Sequence, residues 1–190
     1  MKFNLFLFMS LILFSCTAYS SHNIQKDNLK HVINKKIYVD RYFINSTNKF
    51  GFETKFANAV IDELLNDGCF SIVNTKEDAD VILNVIVKKY ILEPLTYDIN
   101  DLVKQYKLYI VASITLINRY DNAIILSNPR IEGVQIFEHS IAGYNSIGDE
   151  MSEEEAREFI LEKMSKIIVK KIIKRVKFTS QDIKKIHYVT

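Results

Sequence analysis

Two groups of residues in this chain could do chemistry. The first is a cysteine thiol, Cys16, at the end of Leu13-Phe14-Ser15-Cys16. Ahead of it stand Lys2 and an apolar run from Leu5 to Phe14. A basic start, about ten apolar residues and a small residue before the cut describe a secretory signal. The run is too short to span a bilayer, which needs about 20 residues. The tetrapeptide has the form of a bacterial lipobox, in which the cysteine is acylated and becomes the mature N-terminus. Several acyl chains anchor a protein stably, whereas one binds only marginally.

The second group is a set of polar side chains on two long apolar-alternating runs, Asp80 to Leu92 and Gln105 to Asn118. Both are rich in Val, Ile, Tyr and Thr, which suit a half-buried pleated surface. Val81, Leu83, Val85 and Val87 share one side of the first run, opposite Asn84, Lys88 and Tyr90. Tyr106, Leu108, Ile110, Ala112, Ile114 and Leu116 share a side of the second, opposite Lys107 and Tyr109. Side chains alternate with period two, so each run has one apolar and one mixed face. The polar stretch Glu93 to Lys104 contains Pro94, which cannot donate to a central ladder, and reads as the hairpin loop. Matching the core faces sets Val87 opposite Leu108 and Lys88 opposite Lys107, with Asn84 and Tyr109 nearby. Two ammonium groups facing one another destabilise a sheet. Such a pair invites an anion, which lysines bind as point charges.

The remaining elements must position and cover this hairpin. Lys36 to Phe43 reads as a first strand, with Ile37, Val39 and Arg41 pointing one way. Asn45 and Thr47 make a turn leading into a helix from about Phe52 to Asn66. Its stripe is Phe52, Phe56, Ala59, Val60 and Leu64, widened by Ile61 and Leu65, and Gly68 suits the left-handed residue after it. Cys69 to Val73 is a short strand. Ala123 to Leu126 and Val134 to Glu138, broken near Pro129 and Gly133, predict an edge strand with a bulge. Ser140 to Glu150 reads as a loop. Ser152 and Glu155 form a capping box for a helix to about Val176. Its apolar stripe is Ala156, Phe159, Ile160, Met164, Ile167, Ile168, Ile172 and Val176, and Lys170 to Arg175 match its dipole at the end.

This order predicts an α+β, two-layer sandwich: two helices packed on one face of a four- to five-stranded mixed sheet. The predicted organisation is a signal peptide (1–15), a lipidated cysteine with a polar tether (16–34), one domain (35–176) and a basic tail (177–190). With Cys16 acylated, only Cys69 remains, so no internal disulfide is possible. The formal net charge of +2 does not argue for nucleic acid. No P-loop, dinucleotide fingerprint, nucleophile elbow or zinc-protease motif occurs, and no cofactor or metal site is expected. An enzyme is not expected.

From Lys36 to about Val176 the chain resembles the LPS-assembly lipoprotein family (LptE). The likeness lies in Lys36-Ile37-Tyr38-Val39, the Phe43-x-Asn45-x-Thr47 turn, Ala59 to Leu64, Glu77 to Leu83, and Glu93 to Tyr97 ahead of Tyr106-Lys107-Leu108. The resemblance implies a lipid-anchored outer-membrane protein on the periplasmic side. Its partners would be an LptD-like assembly barrel, which it plugs, and LPS, which it helps deliver to the outer leaflet. The lipid A phosphates then become the anion expected at Lys88, Lys107, Asn84 and Tyr109. The alternative is a periplasmic adaptor lipoprotein of a secretion or export complex.

Overall fold

The computed structural model describes residues 35–138 and 151–187, with side chains up to residue 177. The signal segment, Cys16, the tether and the Ser140 to Glu150 loop lie outside them. The elements are β1 (Lys35–Val39), β2 (Ile44–Asn45), α1 (Glu53–Asp67), β3 (Phe70–Val73), β4 (Val81–Tyr97), β5 (Val103–Asn118), β6 (Ile124–Glu138) and α2 (Glu153–His187). Strand order is β3-β1-β4-β5-β6, and the short β2 pairs with β4 beyond the end of β1. β1 is parallel to β3 and β4, β2 is parallel to β4, and β4, β5 and β6 are antiparallel. The sheet is therefore mixed, and the two helices pack on one face of it.

The apolar faces read from the alternation are the ones that bury. Val81, Leu83, Val85 and Val87 on β4, with Leu108, Ile110, Ala112, Ile114 and Leu116 on β5, are all buried against the helices. Two corrections apply to the hairpin. Its loop spans only residues 98–102, since pairing continues through Pro94↔Tyr106 to Tyr97↔Val103. Pro94 is tolerated because β2 ends at Asn45, paired with Val87, and among the described residues no strand pairs with that edge of β4 from there on. Asp98 closes the loop by accepting from the backbone N–H groups of Asn100 and Leu102 at 2.8 and 2.9 Å.

The second correction is a bulge. Val87 pairs with Ala112 but Lys89 pairs with Val111, so β4 carries an extra residue at Lys88. One extra residue exchanges the faces. Beyond the bulge Tyr90, not its neighbours, points to the helices, and its ring packs 5.4 Å from that of Phe52. The alternation had put Tyr90 on the opposite side.

β6 is one continuous strand with two extra residues, one between Asn128 and Ile131, where Pro129 stands, and one at Ile125. It is an edge strand with a bulge, as expected. α1 ends on Gly68 in the left-handed conformation, whose N–H donates to Leu64 O at 3.1 Å. Its buried residues include Ala57 rather than Ala59, and Leu65 is exposed. The capping box of α2 forms: Glu155 N–H donates to Ser152 Oγ at 3.1 Å, and Ser152 N–H to Glu155 Oε2 at 2.7 Å.

α2 runs past Val176 to His187, antiparallel to β6. Ile160 and Met164 pack on Gly133, and Arg175 Nε donates to Ile125 O at 2.8 Å. Its buried stripe includes Leu161 and Val169, whereas Phe159 and Ile167, expected in the core, are each 39% exposed.

Candidate functional site

A connected polar arrangement lies where the β4 bulge meets the loop between β2 and α1. Asn45 organises that loop. Its Oδ1 accepts from Thr47 N–H at 2.9 Å, while its Nδ2 donates to Lys49 O at 2.7 Å and Glu53 Oε1 at 2.8 Å. Glu53 is only 1% exposed, and its other oxygen accepts from Gly51 N–H at 2.8 Å. Burial would raise the carboxyl pKa. The hydrogen bonds from Asn45 and from backbone N–H groups outweigh it, so the group is held below its ordinary value. Ser46 N–H donates to Val87 O at 2.9 Å, which ties the loop to the bulge.

A cleft of about 520 Å³ opens between residues 46–49, the bulge region 88–92 and Glu153 at the start of α2. Lys49 Nζ lies 2.8 Å from Glu153 Oε1 and 5.8 Å from the centre of the Tyr90 ring. The Tyr90 hydroxyl donates to the same Glu153 oxygen at 2.6 Å. Burial, then the hydrogen bond to the Glu153 carboxylate and its charge, push the Tyr90 phenol well above its ordinary pKa. For Glu153, burial raises the pKa, but hydrogen bonds from Lys49 and Tyr90 and the charges of Lys49 and Arg157 bring it below normal. Lys88 and Lys89 are both exposed at the mouth. Lys49 is thus paired with Glu153, and the cleft lining adds Lys88 and Lys89 with no second carboxylate. Among the described residues no cluster of three metal-ligating side chains occurs.

The expected quartet does not converge. Lys88 lines this cleft. Lys107 instead pairs with Glu93, its Nζ 3.9 Å from the carboxylate. Lys88 and Lys107 are therefore separated by about five residue steps along the sheet, roughly 17 Å. Asn84 pairs with Thr115 on the face away from the helices, and Tyr109, opposite Ile91, accepts from Arg130 Nη2 at 2.9 Å. The Lys88–Lys107 pairing fails because the hairpin turns later than the loop composition suggests and because the bulge shifts the register. Sequence reasoning missed Lys49, Lys89 and Glu153. The doublet Lys88-Lys89, which breaks the strict alternation of β4, was the available signal for the bulge.

The sheet face away from the helices and the hairpin end carry exposed apolar side chains. Val134 and Ile136 are 42% and 51% exposed on β6, and Leu95, Tyr97, Ile99 and Leu102 cluster at the hairpin end.

The family model for lipopolysaccharide-assembly (LptE) matches residues 35–176. No curated protein matches the sequence. Among solved structures, the fold is similar to the protein XCC0632 from Xanthomonas campestris, with 11% identity and a TM-score of 0.54 over 78% of this chain and 89% of that one. A lipoprotein B from Nitrosomonas europaea matches with 18% identity and a TM-score of 0.45 over 77% and 85% of the two chains. The rare lipoprotein B from Shewanella oneidensis matches with 14% identity and a TM-score of 0.42 over 78% and 98%. With the family model spanning every described strand, α1 and most of α2, the chain belongs to the lipopolysaccharide-assembly family LptE, as a lipoprotein of the outer membrane on its periplasmic side.

Proposed function

We propose that the chain is a lipid-anchored plug of an LptD-like LPS-assembly barrel, helping to deliver LPS to the outer leaflet. The observation that carries this reading is the family match, which covers the domain from β1 into α2. Acyl chains on Cys16 supply the anchor. The sheet face turned from the helices and the apolar hairpin end, with their exposed apolar side chains, supply contact area for the barrel wall. Lipid A phosphates bind at the cleft of Lys49, Lys88 and Lys89, where the cations outnumber the single carboxylate. Lys107, Asn84 and Tyr109 stand apart from that cleft and contribute little to phosphate binding.

The experiment is LPS binding by the purified protein at low and moderate salt. Lys88→Glu/Lys89→Glu loses several-fold in affinity, with a loss that shrinks as salt screens the charges. Lys107→Glu stays near wild type. Equal binding by all three proteins overturns the cleft assignment.

A further inference from the structure

The outward face of α2 has a composition that neither capping nor core packing explains. Phe159, Lys163, Lys166, Lys170, Lys174 and Lys177 recur at intervals of three and four residues and share one face of the helix. Along the helix this face spans about 27 Å. Phe159 is 39% exposed on it, as is Ile167 at its side, and Lys163 Nζ sits 3.9 Å from the centre of the Phe159 ring. Between Lys163 and Lys177 the sequence contains no carboxylate. Lys166 pairs back to Glu162 at 2.5 Å, but among the described residues no carboxylate pairs with Lys170, Lys171 or Lys174.

Dipole matching does not account for these cations. It acts within the last turn of a helix, and α2 continues to His187. Lys163 to Lys174 therefore lie several turns upstream of the terminus. An ordinary solvated face would intersperse acidic residues, and here none stands between Glu162 and Asp182. Lysines alternating with exposed Phe and Ile on one helix face, the other face being buried in its own domain, match an interfacial lipid-binding surface.

The topology agrees. Ile37 of β1 pairs with Val81, Val81 pairs with Asn118, and Arg175 reaches Ile125 at the start of β6. The cationic part of α2 thus arrives at the sheet end where residues 1–34 join β1.

We propose that, before the domain enters the barrel of the proposed function, this face of α2 rests on the anionic phospholipid headgroups of the leaflet that holds the anchor. The lysines meet phosphate groups, while Phe159 and Ile167 enter the headgroup boundary. This surface is separate from the Lys88 cleft.

The test uses the full chain, purified from bacterial membranes and placed in nanodiscs of phosphatidylcholine with or without phosphatidylglycerol. An environment-sensitive fluorophore on Ile167→Cys reports the helix face, and one on Asn84→Cys reports the opposite sheet face. The Ile167 label is quenched by headgroup-nitroxide lipid about threefold more with phosphatidylglycerol present, and salt at about 0.5 M removes the difference. The Asn84 label shows no such difference. Lys170→Glu/Lys174→Glu/Lys177→Glu abolishes the effect without changing the melting temperature. Equal quenching in both nanodiscs, or an unaffected triple variant, overturns the proposal. So does protection of the label only when an outer-membrane barrel is added, since the occupant is then an acidic protein surface. The protein's mass reports acylation independently, so a missing anchor and a missing lipid contact are distinguishable.

Discussion

Gly133 and Ile160 meet without room for a single methyl group. A Cβ at Gly133 would overlap Ile160 Cγ2 and lie 3.0 Å from both Cγ and Sδ of Met164. The glycine lets α2 approach β6 closely, and the interlocked side chains beneath it are fully buried. Overpacking of this kind costs roughly 1–3 kcal/mol. Gly133→Ala should lower the melting temperature by several degrees and Gly133→Val by more. A Gly133→Ala melt equal to wild type would mean that the helix rides further from the sheet.

Ile167 and Ile168 are neighbours with opposite fates. Ile168 is fully buried, whereas Ile167 is 39% exposed. Ile168→Asp and Val85→Asp each bury an unpaired charge and should abolish folding, since that penalty is comparable to total stability. Ile167→Asp should stay within about 1 kcal/mol of wild type. Circular dichroism melts decide it, and equal losses at Ile167 and Ile168 would mean a rotated helix.

Acid should destabilise the domain through Glu53 and Glu153. Both carboxyls are held below the ordinary value of 4.5 in the folded chain. The unfolded chain therefore binds more protons near pH 4, and stability rises with pH there. The contribution is complete above the unfolded pKa and is lost as pH falls through the folded values. The melting temperature should be flat from about pH 6 to 7 and fall below about pH 4.5. Glu53→Gln should be less stable at neutral pH and less sensitive to acid. A variant with the same acid slope as wild type would remove Glu53 from this linkage.

Much of this fold was legible in the sequence because burial imposes a period. The apolar sides of β4 and β5, the glycine at the end of α1 and the Ser152–Glu155 box are local signals, and each one forms. The candidate site was less legible because it depends on register. A single extra residue at Lys88 and a loop confined to residues 98–102 move Lys107 onto Glu93. The residues that line the cleft with Lys88 come from the β2–α1 loop and from the first residue of α2, which no spacing in the sequence connects. Phe159 and Ile167 fit a helical apolar stripe by spacing, yet each is 39% exposed, Phe159 on the outward face of α2 and Ile167 at its side.

The proposed anchor rests on one thiol. Wild-type protein should take up radiolabelled palmitate and Cys16→Ala should not, because acylation requires the cysteine sulfur. Equal labelling of the two proteins, or none in wild type, would rule out Cys16 as the attachment point.

The central functional reading is best tested by identifying what the protein holds in the membrane. Affinity-tagged full chain should be purified from detergent-solubilised outer membrane of its own cells, and the stoichiometric partners identified by mass spectrometry. The prediction is a large β-barrel of the LPS-assembly type at one copy per lipoprotein, retained through washes at moderate salt. Recovery of the subunits of a secretion or export complex instead, with no assembly barrel, would contradict it.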